Sequence, residues 1–174
     1  MGVRFYIVVF FFLANFLCHG QFNNFKFENL DTVDGLSSST CLTIFQDSEG
    51  FLWFGTIDGL NKYNGYEFEV YKAILNDSTS ISNNRINAIA EDVKGNLWVG
   101  TNNGLNLFNK EKNSFIRIDL YKQLSLANNP RKFINGLMYD TKSDALWVAT
   151  NNGVIKILLK DFEGDVDTLK FSYY

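Results

Sequence analysis

The sequence predicts an all-β fold, and three observations carry that prediction. One phrase is written three times, with Trp53, Trp98 and Trp147 at its centre, 45 and 49 residues apart, and Gly59, Gly104 and Gly153 keep the same spacing. Inside each copy, turn-forming residues fall at fixed places between short apolar segments. No window of about 15 residues sustains a 3.6-residue apolar period free of Gly or Asn-Gly breaks, which removes the helical alternative.

Each copy reads as four strands. The first segment, CLTIFQD, INAIAED or INGLMYD, mixes β-branched and small apolar residues, as a strand buried on both faces does. The turn after it, DSEG, DVKG or DTKSD, begins with Asp47, Asp92 or Asp140, whose carboxylate can bond the backbone ahead of it. Asp47 and Asp92 stand six residues before their tryptophans and Asp140 seven, one residue being inserted in the third turn. The second segment is FLWFGT, NLWVGT or ALWVAT, followed by the hairpin signals IDG, NNG and NNG. The third is LNKYN, LNLFN or VIKIL. The fourth, YEFEVY, SFIRID or LKFSYY, alternates apolar and polar residues, as a half-solvated outer strand does.

Four antiparallel strands in about 45 residues, repeated, describe β-propeller blades. The expected organisation is a leader at 1–20, an outer strand and connecting loop at 21–40, and blades at 41–85, 86–133 and 134–174. The third blade ends inside its last strand. Within 21–40, Phe25 to Asn29 reads as an outermost strand that completes a last blade and fastens a ring. The small residues Gly55, Gly100 and Ala149 share one place in the repeat and imply close approach of a neighbour. Each tryptophan is expected to pack between blades. Three blades make an incomplete ring, since propellers use about four to eight, so each end of the stack exposes an apolar face that needs a partner.

The first twenty residues have the anatomy of a secretory signal. Arg4 precedes an apolar run from Phe5 to Leu17, and Cys18 and Gly20 stand at positions −3 and −1 before Gln21. The run is too short for a span, which takes roughly twenty residues. A lipid-attached Cys18 is disfavoured by the bulky Phe16 and Leu17. Cleavage removes His19, the only histidine, and Cys18, one of two cysteines. Losing Arg4 as well leaves 15 Lys and Arg against 19 Asp and Glu, a net charge of −4. That balance gives no footprint for nucleic acid. Cys41 remains alone in an exported chain, expected as a small core residue.

Without histidine, a phosphoacceptor His, a Ser-His-Asp or Cys-His arrangement and a His-based zinc site are all excluded. The glycines lie in hairpins, so no phosphate-cradling loop is present and no cofactor is implied. A glycosidase needs two carboxylates, but Asp47, Asp92 and Asp140 recur in every unit, whereas a catalytic pair is needed once. They read as turn residues.

The pattern D-x-x-G-x-L-W-x-G-T-x-x-G-L occurs as Asp47, Gly50, Leu52, Trp53, Gly55, Thr56, Gly59 and Leu60. It recurs as Asp92, Gly95, Leu97, Trp98, Gly100, Thr101, Gly104 and Leu105. It resembles the two-component regulator propeller repeat. The third copy departs at Asp144, Ala149 and Val154. The stretch from FENLDTVDGLSS onward is similar to the start of the periplasmic sensor half of hybrid two-component regulators. The resemblance implies a non-catalytic, periplasmic input module of an inner-membrane receptor. That receptor is homodimeric, has further blades and downstream sensor domains as partners, and responds to glycan breakdown products. The alternatives are a secreted propeller that binds or scaffolds, and a sialidase- or lyase-like propeller enzyme.

Ligand contacts are expected on the long connections between blades. There Asn83, Asn84 and Arg85, and Asn128, Asn129 and Arg131, offer amide and guanidinium groups to sugar hydroxyls. Asn102–Asn103 and Asn151–Asn152 precede Gly and read as turn geometry. Tyr63, Tyr66 and Tyr71 read as outer-strand packing rather than a sugar platform. If the tryptophans are packed between blades, Trp98→Ala costs roughly 3–5 kcal/mol. A loss under about 1 kcal/mol in denaturant unfolding would contradict that placement.

Overall fold

The computed structural model describes residues 27–120 and 132–174. Their strands form three four-stranded sheets, each meandering outward from its first strand. The first sheet holds β1 (Cys41–Gln46), β2 (Leu52–Thr56), β3 (Gly59–Tyr63) and β4 (Phe68–Tyr71). The second holds β5 (Ile86–Glu91), β6 (Leu97–Thr101), β7 (Gly104–Asn109) and β8 (Ser114–Ile118). The third holds β9 (Ile134–Asp140), β10 (Ala145–Thr150), β11 (Gly153–Leu158) and β12 (Lys170–Tyr173). All pairings are antiparallel. The fold is all-β, three propeller blades in an open arc.

The core lies between the blades. One face of the first blade and one of the second bury Trp53, Leu60, Ile89, Leu97, Val99, Phe108 and Phe115 together. The indole of Trp53 meets Phe108 edge-on at 5.3 Å. The other face of the second blade carries Trp98, Leu105 and Leu107 against Ile134, Leu146, Val148, Ile155 and Phe162 of the third. Trp98 lies 5.6 Å from Phe162. Each sheet between two neighbours is thus apolar on both faces, which explains the near-continuous burial of β5, β6 and β7.

Close approach at Gly55 and Gly100 sets the spacing. A Cβ on Gly55 would sit 2.7 Å from Cγ2 of Ile86, the first residue of the next blade. A Cβ on Gly100 would sit 2.5 Å from Cγ2 of Ile134. The missing side chain of one blade is the seat for a β-branched residue of the next. Polar contacts join neighbouring blades at both ends of the inner strands. Asn87 Nδ2 donates to the Ile134 carbonyl at 2.8 Å. Ser48 donates from its backbone N–H and its Oγ to Glu91 at 2.7 and 2.9 Å.

Several expectations are corrected at the ends of the arc. β1 is not buried on both faces: Cys41, Leu42, Ile44 and Gln46 are exposed, because none of the described residues packs a sheet against them. Cys41 is therefore no core residue, although partial burial still pushes its thiol pKa up. Trp147 is only half-buried, against Tyr174 at 5.8 Å, with Lys156 Nζ 5.1 Å from its ring centre. Residues 27–29 form no strand and Phe27 is 92% exposed, while residues 25 and 26, like the leader at 1–20, lie outside the described residues. The third turn differs as its inserted residue implies. Asp144 takes the left-handed conformation at φ 45° that Gly50 and Gly95 adopt in the other copies.

The seat argument predicts that Gly100→Ala lowers stability by about 1–3 kcal/mol through overpacking against Ile134. A denaturation midpoint equal to that of the parent chain would contradict it.

Candidate functional site

The repeated aspartates hold structure together. Asp47 Oδ2 accepts from Trp53 Nε1 at 2.8 Å, while Oδ1 accepts from the backbone N–H groups of Glu49 and Phe51. Asp92 repeats this with Trp98 Nε1 at 3.0 Å and the N–H groups of Lys94 and Asn96. Both carboxylates are 6% exposed. Both oxygens of each carboxylate accept hydrogen bonds from donors of their own hairpin. Such a bond satisfies the indole N–H in a dry environment, where an orphan donor costs about 1–3 kcal/mol.

Asp140 departs from the pattern. It is half-buried and accepts from the Lys142 N–H and from Ser143 Oγ at 2.6 Å, the latter holding its carboxyl below the usual range. Among the described residues it has no bond to Trp147, so the extra residue of this turn has uncoupled carboxylate from indole.

A second polar device escaped sequence reasoning. Asn61 and Asn106 are fully buried on β3 and β7. Asn61 Oδ1 accepts from the Ser37 N–H at 2.8 Å, and Asn106 Oδ1 from the Ser82 N–H at 2.9 Å. The same serines bond through Oγ to Thr56 and Thr101, whose hydroxyls also reach the carbonyls of Gly59 and Gly104. The loops entering the first two blades are thereby fastened to those blades' hairpins. The repeated G-L-N at 59–61 and 104–106 was the available signal. Its partner, a serine 24 residues earlier, is invisible without the fold.

The connection 72–85 carries the first half of the predicted ligand set. Arg117, on β8, clamps it from outside, donating to the carbonyls of Asp77 and Ser80 and to Ser80 Oγ. Asn84 is consumed by structure: Oδ1 accepts from the Ala73 N–H at 2.7 Å, and Nδ2 donates to Asp58 at 3.1 Å. Asp58 also receives Lys72 at 2.6 Å, and that bond holds its carboxyl below the ordinary range. Asn83 Oδ1 accepts from the Arg85 N–H. The exposed Arg85 guanidinium has no hydrogen-bond or ion-pair partner among the described residues. Asn128, Asn129 and Arg131 lie outside the described residues. The structure therefore leaves Arg85, beside Asn83, as the available group on this connection.

At the opposite end, where the aspartate turns lie, a polar cleft of about 580 Å³ runs between Ser48, Lys94, Asn96, Lys110 and Glu163. Its ammonium groups are paired, Lys110 with Glu49 at 2.6 Å and Lys94 with Glu163 at 2.8 Å. No three His, Cys, Asp or Glu side chains among the described residues converge on a metal site. No helix among them is long and apolar enough to cross a membrane.

The family model described as "Two component regulator propeller" matches residues 35–58 and 80–103. These two stretches run from the Ser37 and Ser82 loops through the aspartate turns to the hairpins of the first two blades. The first two blades thus carry two-component regulator propeller repeats. Among solved structures the chain is similar to the extracellular domain of BT3049, a B. thetaiotaomicron protein assigned to hybrid two component systems. The TM-score is 0.70 at 32% identity, over 84% of this chain and 20% of that one. It is also 47% identical over 78 residues to histidine kinase P4 of Formosa agariphila, which covers 45% of this chain and 6% of the relative. The virginiamycin B lyase of Staphylococcus aureus shares the fold, with a TM-score of 0.54 at 14% identity over 77% of this chain. This chain thus spans a small part of the repeat proteins it resembles.

Because Asp92 accepts an indole N–H inside the core, Asp92→Asn is expected to lower stability by about 1–3 kcal/mol while the β-sheet circular dichroism stays intact. An unchanged unfolding midpoint would show that the indole bond contributes nothing.

Proposed function

We propose that the chain is the opening part of the ligand-sensing region of a hybrid two-component histidine kinase. It is exported by its leader, held in the periplasm by a receptor anchored in the inner membrane, and non-catalytic in this portion. The observation that carries this reading is the similarity, across 84% of the chain, to the extracellular domain of a hybrid two-component system. The saturation of Asp47 and Asp92 by their own hairpins supports the non-catalytic role. Remaining blades and downstream sensor domains of the receptor are the partners. Ligand binding shifts the geometry of a homodimer, which needs different affinity for its two states.

The ligand we assign is an oligosaccharide released by glycan breakdown, received on the connections that carry Asn83, Asn84, Arg85, Asn128, Asn129 and Arg131. Arg85 leads this set because its guanidinium is exposed and has no hydrogen-bond or ion-pair partner among the described residues, whereas Asn84 acts by fixing the loop. In the complete receptor, titrated calorimetrically with size-fractionated polysaccharide digests, Arg85→Ala is expected to weaken binding about tenfold, or 1.4 kcal/mol. It should leave the melting temperature unchanged, while Asn84→Ala should lower that temperature. Equal affinity of the Arg85 variant removes this connection from the site. Absence of binding to any digest defeats the glycan assignment.

A further inference from the structure

The two interfaces between blades are alike at the glycine seats and differ at the aspartate-turn end. On the second blade, Trp98 pairs across the sheet with Leu107, and Leu107 with Ile116. This row is apolar, and the third blade covers it. The connection from β11 to β12, residues 159–169, packs Leu159, Phe162 and Leu169 with it in one cluster. Lys94 fastens that cover, donating to the Phe162 carbonyl at 2.6 Å and to Glu163 at 2.8 Å.

On the first blade the same row reads Trp53, Lys62 and Glu69. The facing connection of the second blade, residues 110–113, is Lys-Glu-Lys-Asn and brings no apolar side chain. A cavity of about 320 Å³ stands there between the two blades, within the range of about 300–1,000 Å³ that small-molecule sites occupy. The buried Trp53 and Phe108 form part of its wall. Ionisable groups on a face that the next blade partly covers carry a desolvation cost that Leu107 and Ile116 avoid. Packing alone does not call for them.

The groups around the cavity are of both signs. Lys62 holds its ammonium 3.8 Å from the ring centre of Phe51 and 5.6 Å from that of Trp53, with no ion-pair or hydrogen-bond partner among the described residues. Glu69 accepts from Asn113 Nδ2 at 2.7 Å, and Asn113 Oδ1 in turn accepts from the Tyr71 hydroxyl at 2.8 Å. Lys110 pairs with Glu49 at 2.6 Å. Two ammonium groups thus face two carboxylates, while Asp47 is occupied by its own hairpin. A charged ligand of either sign meets a like charge as well as an opposite one. Hydroxyl groups suit the mixture, since each can donate to a carboxylate and accept from an ammonium or an amide.

We infer that this pocket between the first two blades is a subsite for one neutral sugar ring, whose hydroxyls bond to Lys62 and Glu69 beside Trp53 and Phe108. It lies at the aspartate-turn end, away from the connection that carries Arg85, so it goes beyond the site proposed there and does not depend on it.

The test titrates the complete receptor calorimetrically with glucose, galactose, mannose and xylose, and with glucuronate and glucosamine as charged sugars. A neutral sugar is expected to bind with a millimolar Kd, more tightly than either charged one. Glu69→Gln and Lys62→Met, which nearly preserve side-chain size, should each weaken it roughly tenfold and leave the melting temperature unchanged. Absence of binding by every neutral sugar overturns the inference, and so does binding that both variants leave intact. Tighter binding of either charged sugar overturns the neutral assignment. If one variant fails to fold, the other decides. A response to polysaccharide digests that persists while every monosaccharide fails removes this pocket and leaves the connection reading standing.

Discussion

The structure depends on one constraint: an indole-bearing sheet face is stable only when the next blade covers it. Trp53 and Trp98 are covered and buried to within 1% exposure. Trp147, with no sheet over it among the described residues, is half-open. Coverage requires close approach, which explains the seats at Gly55 and Gly100, and it requires the indole N–H to find an acceptor in a dry place. Asp47 and Asp92 supply that acceptor from within the same hairpin, so the blade carries its own polar solution into the interface. The repeat is in this sense a unit of burial, and its conspicuous residues answer to packing before any chemistry.

This division explains the functional reading. The carboxylates, threonines and asparagines that recur from copy to copy are bonded to the backbone of their own blade. Groups that do not recur, such as Arg85, stay at the surface of the connections. Loops on a rigid scaffold are where binding residues concentrate. Arg117 and Asn84 bond one of these loops to the blades beside it.

Most of the fold was legible because its signals are local. Asn-Gly and Asp-Gly hairpins, alternation of period two and the fixed interval between tryptophans place every strand to within a residue or two. What remained hidden depends on neighbours. Cys41, Ile86 and Ile134 occupy one place in the repeat, and nothing local tells an exposed copy from a buried one. Arg117 reads as a polar residue on an alternating outer strand, and its bonds to residues 77–81 reach across the sequence. The insertion before Trp147 was visible as a seventh residue. Its consequence, an indole without its aspartate, needed coordinates. Of the candidate residues, the difference between Asn84, bonded to Ala73 and Asp58, and the exposed Arg85 was not legible in the sequence.

The most direct test of this account is hydrogen exchange at the indole N–H groups of Trp53 and Trp98, followed by NMR. Burial between blades with a carboxylate acceptor predicts that both exchange only through large-scale unfolding, with protection approaching that of the most stable sheet amides. Exchange of either indole as fast as in a solvent-exposed tryptophan would contradict the central claim.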